Sequence, residues 1–124
     1  MGYGMASNLR TNIPLSSTLS VYDVDRQLCD KFKIDFSVYG PIEINESIKA
    51  TVEYAQVVVS SLPSLEAVYD VYLDEATGVF AARPDSNRLI VETSTMEPSS
   101  ATEVARKLAE AKAGYYVDAP VSVR

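Results

Sequence analysis

The sequence predicts an α/β fold in which parallel strands are connected by helices. Short β-rich runs alternate with helical segments along the chain, and Ser, Asp or Pro separates most strands from the helix that follows. The apolar runs at 57–59 and 89–91 are continuous rather than alternating. Continuous apolar strands are typical of parallel sheets covered by helices, so we expect both runs to be buried on both faces.

Strands and helices can be assigned in order along most of the chain. The predicted strands are residues 19–24, 36–39, 56–61, 88–93 and 115–118. The predicted helices are residues 1–9, 26–32, 48–54, 65–73 and one that Pro98 opens. Asp25 is the expected N-cap of the second helix, and Pro63 with Ser64 opens the fourth. Gly114 is expected to end the last helix, and the Gly40–Pro41 break to follow the strand at 36–39.

Composition and charge exclude several classes of function. At 124 residues the chain is the size of one domain, and its net charge of −6 argues against a nucleic-acid partner or an anionic membrane. A dinucleotide is still allowed, because backbone N–H groups at a helix start can hold a pyrophosphate. With no His and one Cys, the usual zinc sites and His-based triads are excluded, and we expect no metal. The single Cys29 favours a reducing, intracellular compartment, either cytoplasmic or mitochondrial.

Gly2 and Asp23 have the spacing of a Rossmann-type nucleotide site. Gly2 could be the last glycine of a G-x-G-x-x-G turn, and Asp23 follows 21 residues later at the end of a strand. A Rossmann unit places an acid roughly 20 residues after that turn, where it binds the ribose hydroxyls. The alternative is that Gly2 is a flexible terminal residue and Asp23 caps a helix. Together with the parallel-type strands, the two residues favour a doubly wound Rossmann sheet.

Four ordered motifs carry a family resemblance. Residues 1–9 (MGYGMASNL) resemble the second half of the G-L-G-x-M-G-x-x-M-A-x-N-L signature of 3-hydroxyisobutyrate dehydrogenases. Residues 59–63 (VSSLP) are similar to the M-L-P loop, and 92–98 (ETSTMEP) to the D-x-S-T-I-x-P segment. Residues 116–122 (YVDAPVS) resemble D-A-P-V-S-G-G. The chain thus resembles the β-hydroxyacid dehydrogenase family, which includes tartronate semialdehyde reductases and, more distantly, 6-phosphogluconate dehydrogenases.

The resemblance implies two groups of site residues. Those of the cofactor are Gly2, Met5, Asp23, Leu62, Pro63 and Thr95. Those of the substrate are Ser94 and Ser122. Asp23 would receive the adenosine ribose, and Thr95 would contact the nicotinamide half. An alternative is also open: Ser94 and Thr95 could cap the helix that Pro98 opens, and Leu62–Pro63 could simply end a strand.

The resemblance also implies missing parts. Met1 falls on the methionine of the family's G-x-M-G, so we expect the first, central strand and two glycines to be absent. After Ser122 the family's glycine pair is replaced by Val123–Arg124, and the family's catalytic lysine and helical substrate domain lie further on. None of the lysines present matches that motif, so no catalytic residue is assigned. Residues 1–124 are therefore expected to be a partial NAD(P)-binding domain with weak or no affinity for cofactor.

The predicted function is the NAD(P)-binding portion of a 3-hydroxyacid dehydrogenase, which transfers a hydride from a CH–OH group. Asp23 repels a 2′-phosphate and so favours NAD, whereas the nearby Arg26 keeps NADP as the alternative. A small hydroxyacid substrate is expected only in a complete chain, and a homo-oligomer is left open. The alternative function is a non-catalytic nucleotide-binding or interaction module. A flavodoxin-like domain shares the alternation of strands and helices but not the ordered motifs.

Overall fold

In the computed structural model, which describes residues 2–120, the chain divides into a first unit, Met1–Ser47, and a second unit, Ile48–Arg124. The helices are α1 (Gly2–Asn12), α2 (Arg26–Phe36), α3 (Ile48–Glu53), α4 (Leu65–Leu73) and α5 (Pro98–Glu110). The strands are β1 (Leu19–Val21), β2 (Ile42–Ile44), β3 (Val57–Ser60), β4 (Leu89–Glu92) and β5 (Tyr115–Asp118). Helices alternate with parallel strands in both units, which confirms the predicted α/β class.

The first unit contains a parallel pair of strands. β1 and β2 pair with Leu19 opposite Ile42. α2 begins where predicted, because the Asp25 carboxylate accepts the backbone N–H of Leu28 at 3.3 Å and satisfies a free donor of the first turn. The helix is longer than expected and runs to Phe36.

The strand predicted at residues 36–39 is wrong. Phe36 is the last residue of α2, and Ser37–Tyr39 forms a single 3-10 turn. Phe36 lies four residues after the buried Phe32, so both rings share one face of the helix and stack at 5.2 Å. This pairing extends α2, and the strand β2 forms after the Gly40–Pro41 break instead of before it.

A fully buried arginine holds the loops of the first unit together. Arg10 lies on α1 and has no exposed surface. Its guanidinium donates to the backbone carbonyls of Ser17 at 2.7 Å, Pro41 at 2.8 Å and Pro14 at 2.8 Å. It packs directly over Gly40, whose φ is +146° and where a Cβ would come within 2.5 Å of the guanidinium. The neutral carbonyl oxygens thus stabilise a buried charge that sequence analysis did not single out.

The second unit is a three-stranded parallel sheet packed against helices. The strand order is β3-β4-β5, with Val58 opposite Ile90 and Ile90 opposite Tyr116. α4 has its predicted bounds, because the Ser64 hydroxyl accepts the backbone N–H of Ala67 at 3.1 Å. The core of this unit consists of Val52, Val68, Tyr72, Val79, Ala82, Ile90, Val104, Leu108 and Ala113.

The prediction that residues 57–59 are buried on both faces is wrong. Val57 is 56% exposed and Val59 is 39% exposed, whereas Val58 packs against the core. Side chains alternate along a strand, so Val58 lies on the face that the core of the second unit covers, and its two neighbours lie on the other face. The apolar run therefore belongs to a strand with one covered face.

Gly114 does not end the last helix as predicted. α5 stops at Glu110, and Lys112 adopts the left-handed conformation with φ +54°. The backbone N–H of Lys112 donates to the carbonyl of Ala109 at 3.1 Å, and the next N–H donates to Leu108 at 3.0 Å. This pair of bonds is a Schellman motif, a helix ending that usually places glycine where Lys112 stands.

Candidate functional site

The carboxyl ends of β3 and β4 are neighbours, so the segments that follow them lie at one edge of the sheet. Ser60 is opposite Glu92 in the parallel register. The backbone N–H of Leu62, after β3, donates to the hydroxyl of Ser94, after β4, at 2.6 Å. Ligands of open α/β sheets bind outside this edge. The structure therefore joins two predicted residues at the edge where a ligand is expected.

The other predicted residues of the second unit flank this hydrogen bond in the sequence. Pro63 and Thr95 are exposed, Leu62 is half-buried and Ser94 is 9% exposed. Exposed residues at this edge are free to contact a ligand, whereas Ser94 supports them from below. The alternative in which Ser94 or Thr95 caps α5 is wrong, because Glu97 occupies the N-cap position and no side chain caps the helix.

A buried carboxylate lies beneath the edge. Glu92 is the last residue of β4 and has no exposed surface. One carboxylate oxygen accepts the backbone N–H of Ser94 at 2.7 Å. The other accepts the hydroxyl of Tyr72, on α4, at 2.8 Å, and also the hydroxyl of Ser60. Glu92 was not among the residues that the sequence indicated, although a carboxylate that ends an apolar strand is a signal of buried polar contacts.

Two tyrosines of the second unit are strongly perturbed. Burial raises the pKa of Tyr72 well above its usual value, and the Glu92 carboxylate raises it further. Burial is the largest cause of the raised pKa of Tyr116, and the negative charges of Glu92 and Asp118 raise it further. The two rings meet edge to face at 5.8 Å, and the Tyr116 hydroxyl is buried without a hydrogen-bond partner in the described part of the chain. Tyr72 therefore stays protonated at neutral pH and remains a donor to Glu92.

The first unit holds three of the predicted cofactor residues. Gly2 is the first residue of α1, and Met5 is half-buried on the same helix. Asp23 is exposed two residues after β1, and its carboxylate accepts the backbone N–H of Asp25 at 2.8 Å. Arg26 forms an exposed ion pair with Asp30 at 3.9 Å. The Asp23 carboxylate is thus held in a tight turn and open to solvent at the carboxyl end of its strand.

Two kinds of site are absent from residues 2–120, a cluster of metal ligands and a membrane-spanning helix. Within that range no group of three or more His, Cys, Asp or Glu side chains is arranged to hold a metal ion. No helix in the same range is long and apolar enough to cross a membrane.

The fold and its carboxyl edge define a class of protein. Parallel strands connected by helices, with polar and exposed residues where the strands end, are the pattern of Rossmann-type dinucleotide-binding domains. The sheets have the orders β1-β2 and β3-β4-β5.

Comparison with known proteins identifies the family. The chain belongs to the family of the NAD binding domain of 6-phosphogluconate dehydrogenase, which matches residues 1–123. The 3-hydroxyisobutyrate dehydrogenase of Mycobacterium tuberculosis, solved with L-serine, is similar to 99% of the chain at 29% identity and a TM-score of 0.76. A comparison with curated proteins gives no match. The predicted relationship to the hydroxyacid dehydrogenases and the predicted cofactor class, NAD(P), are thereby confirmed.

Two further solved structures share the fold. Psf3 in complex with NADP⁺ and 2-OPP is similar to 99% of the chain at 24% identity and a TM-score of 0.82. The 3-hydroxyisobutyrate dehydrogenase of Salmonella typhimurium is similar to 98% of the chain at 19% identity and a TM-score of 0.74. The chain spans only 40%, 38% and 39% of the Psf3, Mycobacterium and Salmonella chains.

Proposed function

We propose that this chain is the NAD(P)-binding portion of a 3-hydroxyacid dehydrogenase that acts on a CH–OH group by hydride transfer. The observation that carries the proposal is the hydrogen bond from Leu62 to Ser94, because it joins the two segments that resemble the family's loops. Bound NAD(P) supplies the hydride acceptor, and the protein supplies binding and orientation. The helical domain that completes the substrate site belongs to the proposed whole enzyme.

The second unit is proposed to hold the nicotinamide half of the cofactor. Pro63 and Thr95 are exposed at the carboxyl edge and can contact a ligand, while the buried Ser94 hydroxyl fixes Leu62 beside them. The buried carboxylate of Glu92, which accepts the N–H of Ser94, would attract the positively charged nicotinamide ring of NAD⁺ and repel an anionic group. Ser94 and Ser122 are proposed to serve the hydroxyacid substrate.

The first unit is proposed to hold the adenosine half. The exposed Asp23 carboxylate would accept hydrogen bonds from the ribose hydroxyls. Gly2 and Met5 lie in the first turn of α1, which carries no acidic residue that would repel a phosphate. Because Arg26 already pairs with Asp30, the charge nearest the ribose is that of Asp23, and NAD is the preferred cofactor.

Nuclear magnetic resonance titration of the 124-residue chain with NAD⁺ and NADP⁺ tests the proposal at the weak affinities we expect. NAD⁺ should bind more weakly than micromolar but more tightly than NADP⁺. Asp23→Asn should weaken NAD⁺ binding by about tenfold, the value of one charge-assisted hydrogen bond. The matched control, Asp70→Asn, removes an exposed carboxylate from α4 and should leave NAD⁺ affinity unchanged. The sequence alone allowed weak or no affinity, but the proposed function requires weak binding, so absence of binding by both cofactors would contradict it. Tighter NADP⁺ binding would contradict the preference.

One observation favours the alternative, a non-catalytic interaction module. Within the described strands β3 is paired on one side only, and Val57 and Val59 are exposed on it. Open apolar edge strands pair with other chains, here a second copy. Light scattering that shows a dimer in the wild type but a monomer in Val59→Lys, with no NAD⁺ binding in either, would favour this function over the first.

A further inference from the structure

A continuous chain of hydrogen bonds connects α4 to the edge proposed to hold nicotinamide. The Tyr72 hydroxyl donates to Glu92 at 2.8 Å, and the other oxygen of Glu92 accepts the N–H of Ser94 at 2.7 Å. The Ser94 hydroxyl in turn accepts the N–H of Leu62 at 2.6 Å. The segments after β3 and β4 are therefore held in one arrangement by a single buried carboxylate.

Each carboxylate oxygen and side-chain hydroxyl of this hydrogen-bond network has at least one partner. Glu92 accepts from the hydroxyls of Tyr72 and Ser60 through one oxygen, so its carboxylate is fixed by a helix and a neighbouring strand. Ser94 is fixed at two points, since its backbone N–H donates to Glu92 while its hydroxyl accepts from Leu62. Buried networks in which each polar side chain has a partner make a structure more rigid.

Stability alone does not account for a carboxylate at this position. Glu92 has no exposed surface, and its hydrogen-bond partners within residues 2–120 are two hydroxyls and a backbone N–H, with no Lys or Arg among them. Burying a charge costs free energy, and apolar replacements of buried ionic groups are often neutral or stabilising. A buried carboxylate that organises two binding segments fits a role in geometry better than a role in stability.

We propose that Glu92, together with Tyr72, is a positioning residue for the nicotinamide half of NAD(P). Glu92 does not touch the cofactor; it orients Ser94, and through Ser94 it orients Leu62 and the exposed residues beside them. This inference rests on the proposed function and adds a residue to it. The adenosine half, assigned to Asp23 in the first unit, should not depend on Glu92.

Three variants separate geometry from charge. Glu92→Gln is the conservative variant, because it keeps the shape of the side chain and an oxygen that accepts from Ser94. Its NH₂ group replaces the second oxygen and can donate to a hydroxyl. The double variant Glu92→Met with Tyr72→Phe keeps the volume but removes the acceptor and its donor. Ser94→Ala, nearer the surface of the edge, removes only the last bond of the chain and serves if the double variant does not fold.

Two properties of each variant are measured. Nuclear magnetic resonance measures the binding of nicotinamide mononucleotide and of AMP, and urea denaturation measures stability. The double variant and Ser94→Ala should each bind nicotinamide mononucleotide about tenfold more weakly than the wild type, the value of one lost hydrogen bond to a fixed group. Glu92→Gln should stay within about threefold of the wild type, since the bonds are largely kept. AMP binding should be the same in all four proteins.

Val104→Ala is the control for stability, because it opens a cavity in the same core without touching the network. It should bind nicotinamide mononucleotide as the wild type does. Equal binding by the wild type and the double variant would overturn the positioning role and leave the proposed function intact. An equal loss of nicotinamide mononucleotide binding in Val104→Ala and in the double variant would also overturn the positioning role. No binding of either ligand by the wild type would overturn the proposed function, and this inference with it.

Discussion

The Ser94 hydroxyl accepts the backbone N–H of Leu62 at 2.6 Å, and this bond links residues 32 positions apart in the sequence. It exists because β3 and β4 are parallel neighbours and end at the same edge of the sheet. Two short motifs that resemble a dehydrogenase family therefore meet in space. Their meeting is the structural basis for assigning a binding edge to this chain.

Removing that bond should cost stability. Ser94→Ala leaves the N–H of Leu62 without its acceptor, so the free energy of unfolding should fall by about 1–2 kcal/mol. Urea denaturation measures the change, and hydrogen exchange should show faster exchange at the Leu62 amide. Ser99→Ala, on the exposed first turn of α5, is the control and should change stability by less than about 0.5 kcal/mol. Equal stability of the Ser94 variant and the wild type would contradict the assigned bond.

The buried arginine should dominate the stability of the first unit. Arg10→Met removes the donors to the carbonyls of Ser17, Pro14 and Pro41 and should cost about 2–4 kcal/mol. Hydrogen exchange at the β2 amides measures the loss within that unit. Arg26→Met removes an exposed arginine of the same unit and should have little effect. Similar protection in both variants would show that the Arg10 bonds are not stabilising.

The left-handed residue after α5 offers a stabilising substitution. Lys112 adopts φ +54°, a conformation that costs a residue with a Cβ about 1 kcal/mol relative to glycine. Lys112→Gly should therefore raise the free energy of unfolding by about 0.5–1 kcal/mol. Lys112→Ala keeps the strain and removes only the charge, so it should not stabilise the protein. If alanine stabilised as much as glycine, the side chain and not the backbone would be the cause.

The buried tyrosines predict a loss of stability in alkali. The folded protein raises the pKa of Tyr116 above its usual 10.0, chiefly by burial, so the folded state holds this proton more tightly than the unfolded state. Its contribution to stability is complete below pH 10 and is lost as pH rises toward the folded pKa. Tyr116→Phe should flatten that loss and, at pH 7, add about 1 kcal/mol because an unpaired hydroxyl is removed.

The control for this prediction is the neighbouring residue of the same strand. Tyr115 is 68% exposed, so Tyr115→Phe should leave both the stability at pH 7 and the alkaline loss unchanged. Urea unfolding followed between pH 7 and about pH 11, a range that includes the ordinary pKa of tyrosine, measures both effects. If Tyr116→Phe lost as much stability in alkali as the wild type does, other groups, such as Tyr72, would be the cause of that loss.

Local signals predicted much of the fold correctly. Asp25 and Ser64 cap α2 and α4 as their residue types require, and α4 has the predicted bounds. The errors arose where tertiary contacts decide. Stacking of Phe36 on Phe32 extends α2 through the predicted strand, and no local pattern reveals which face of β3 the helices cover.

The site was predicted in part for the same reason. The motifs indicated Leu62 and Ser94, and the structure places them in contact. Their support by Glu92 and Tyr72 was not predicted, because Tyr72 lies on another element, 20 residues away from Glu92 in the sequence. Ser122 lies outside the described residues. The binding roles of the other predicted site residues stay predictions, namely Gly2, Met5, Asp23, Leu62, Pro63, Ser94 and Thr95.

The most direct test of the central claim is a map of amide chemical-shift changes as NAD⁺ is added to the wild-type chain. We expect the largest chemical-shift changes in the second unit at Leu62, Ser94 and Thr95, where β3 and β4 end. In the first unit they should fall beside Asp23. Changes confined to other surfaces, such as the exposed face of α2 around Ile34, or no changes at millimolar NAD⁺, would contradict it.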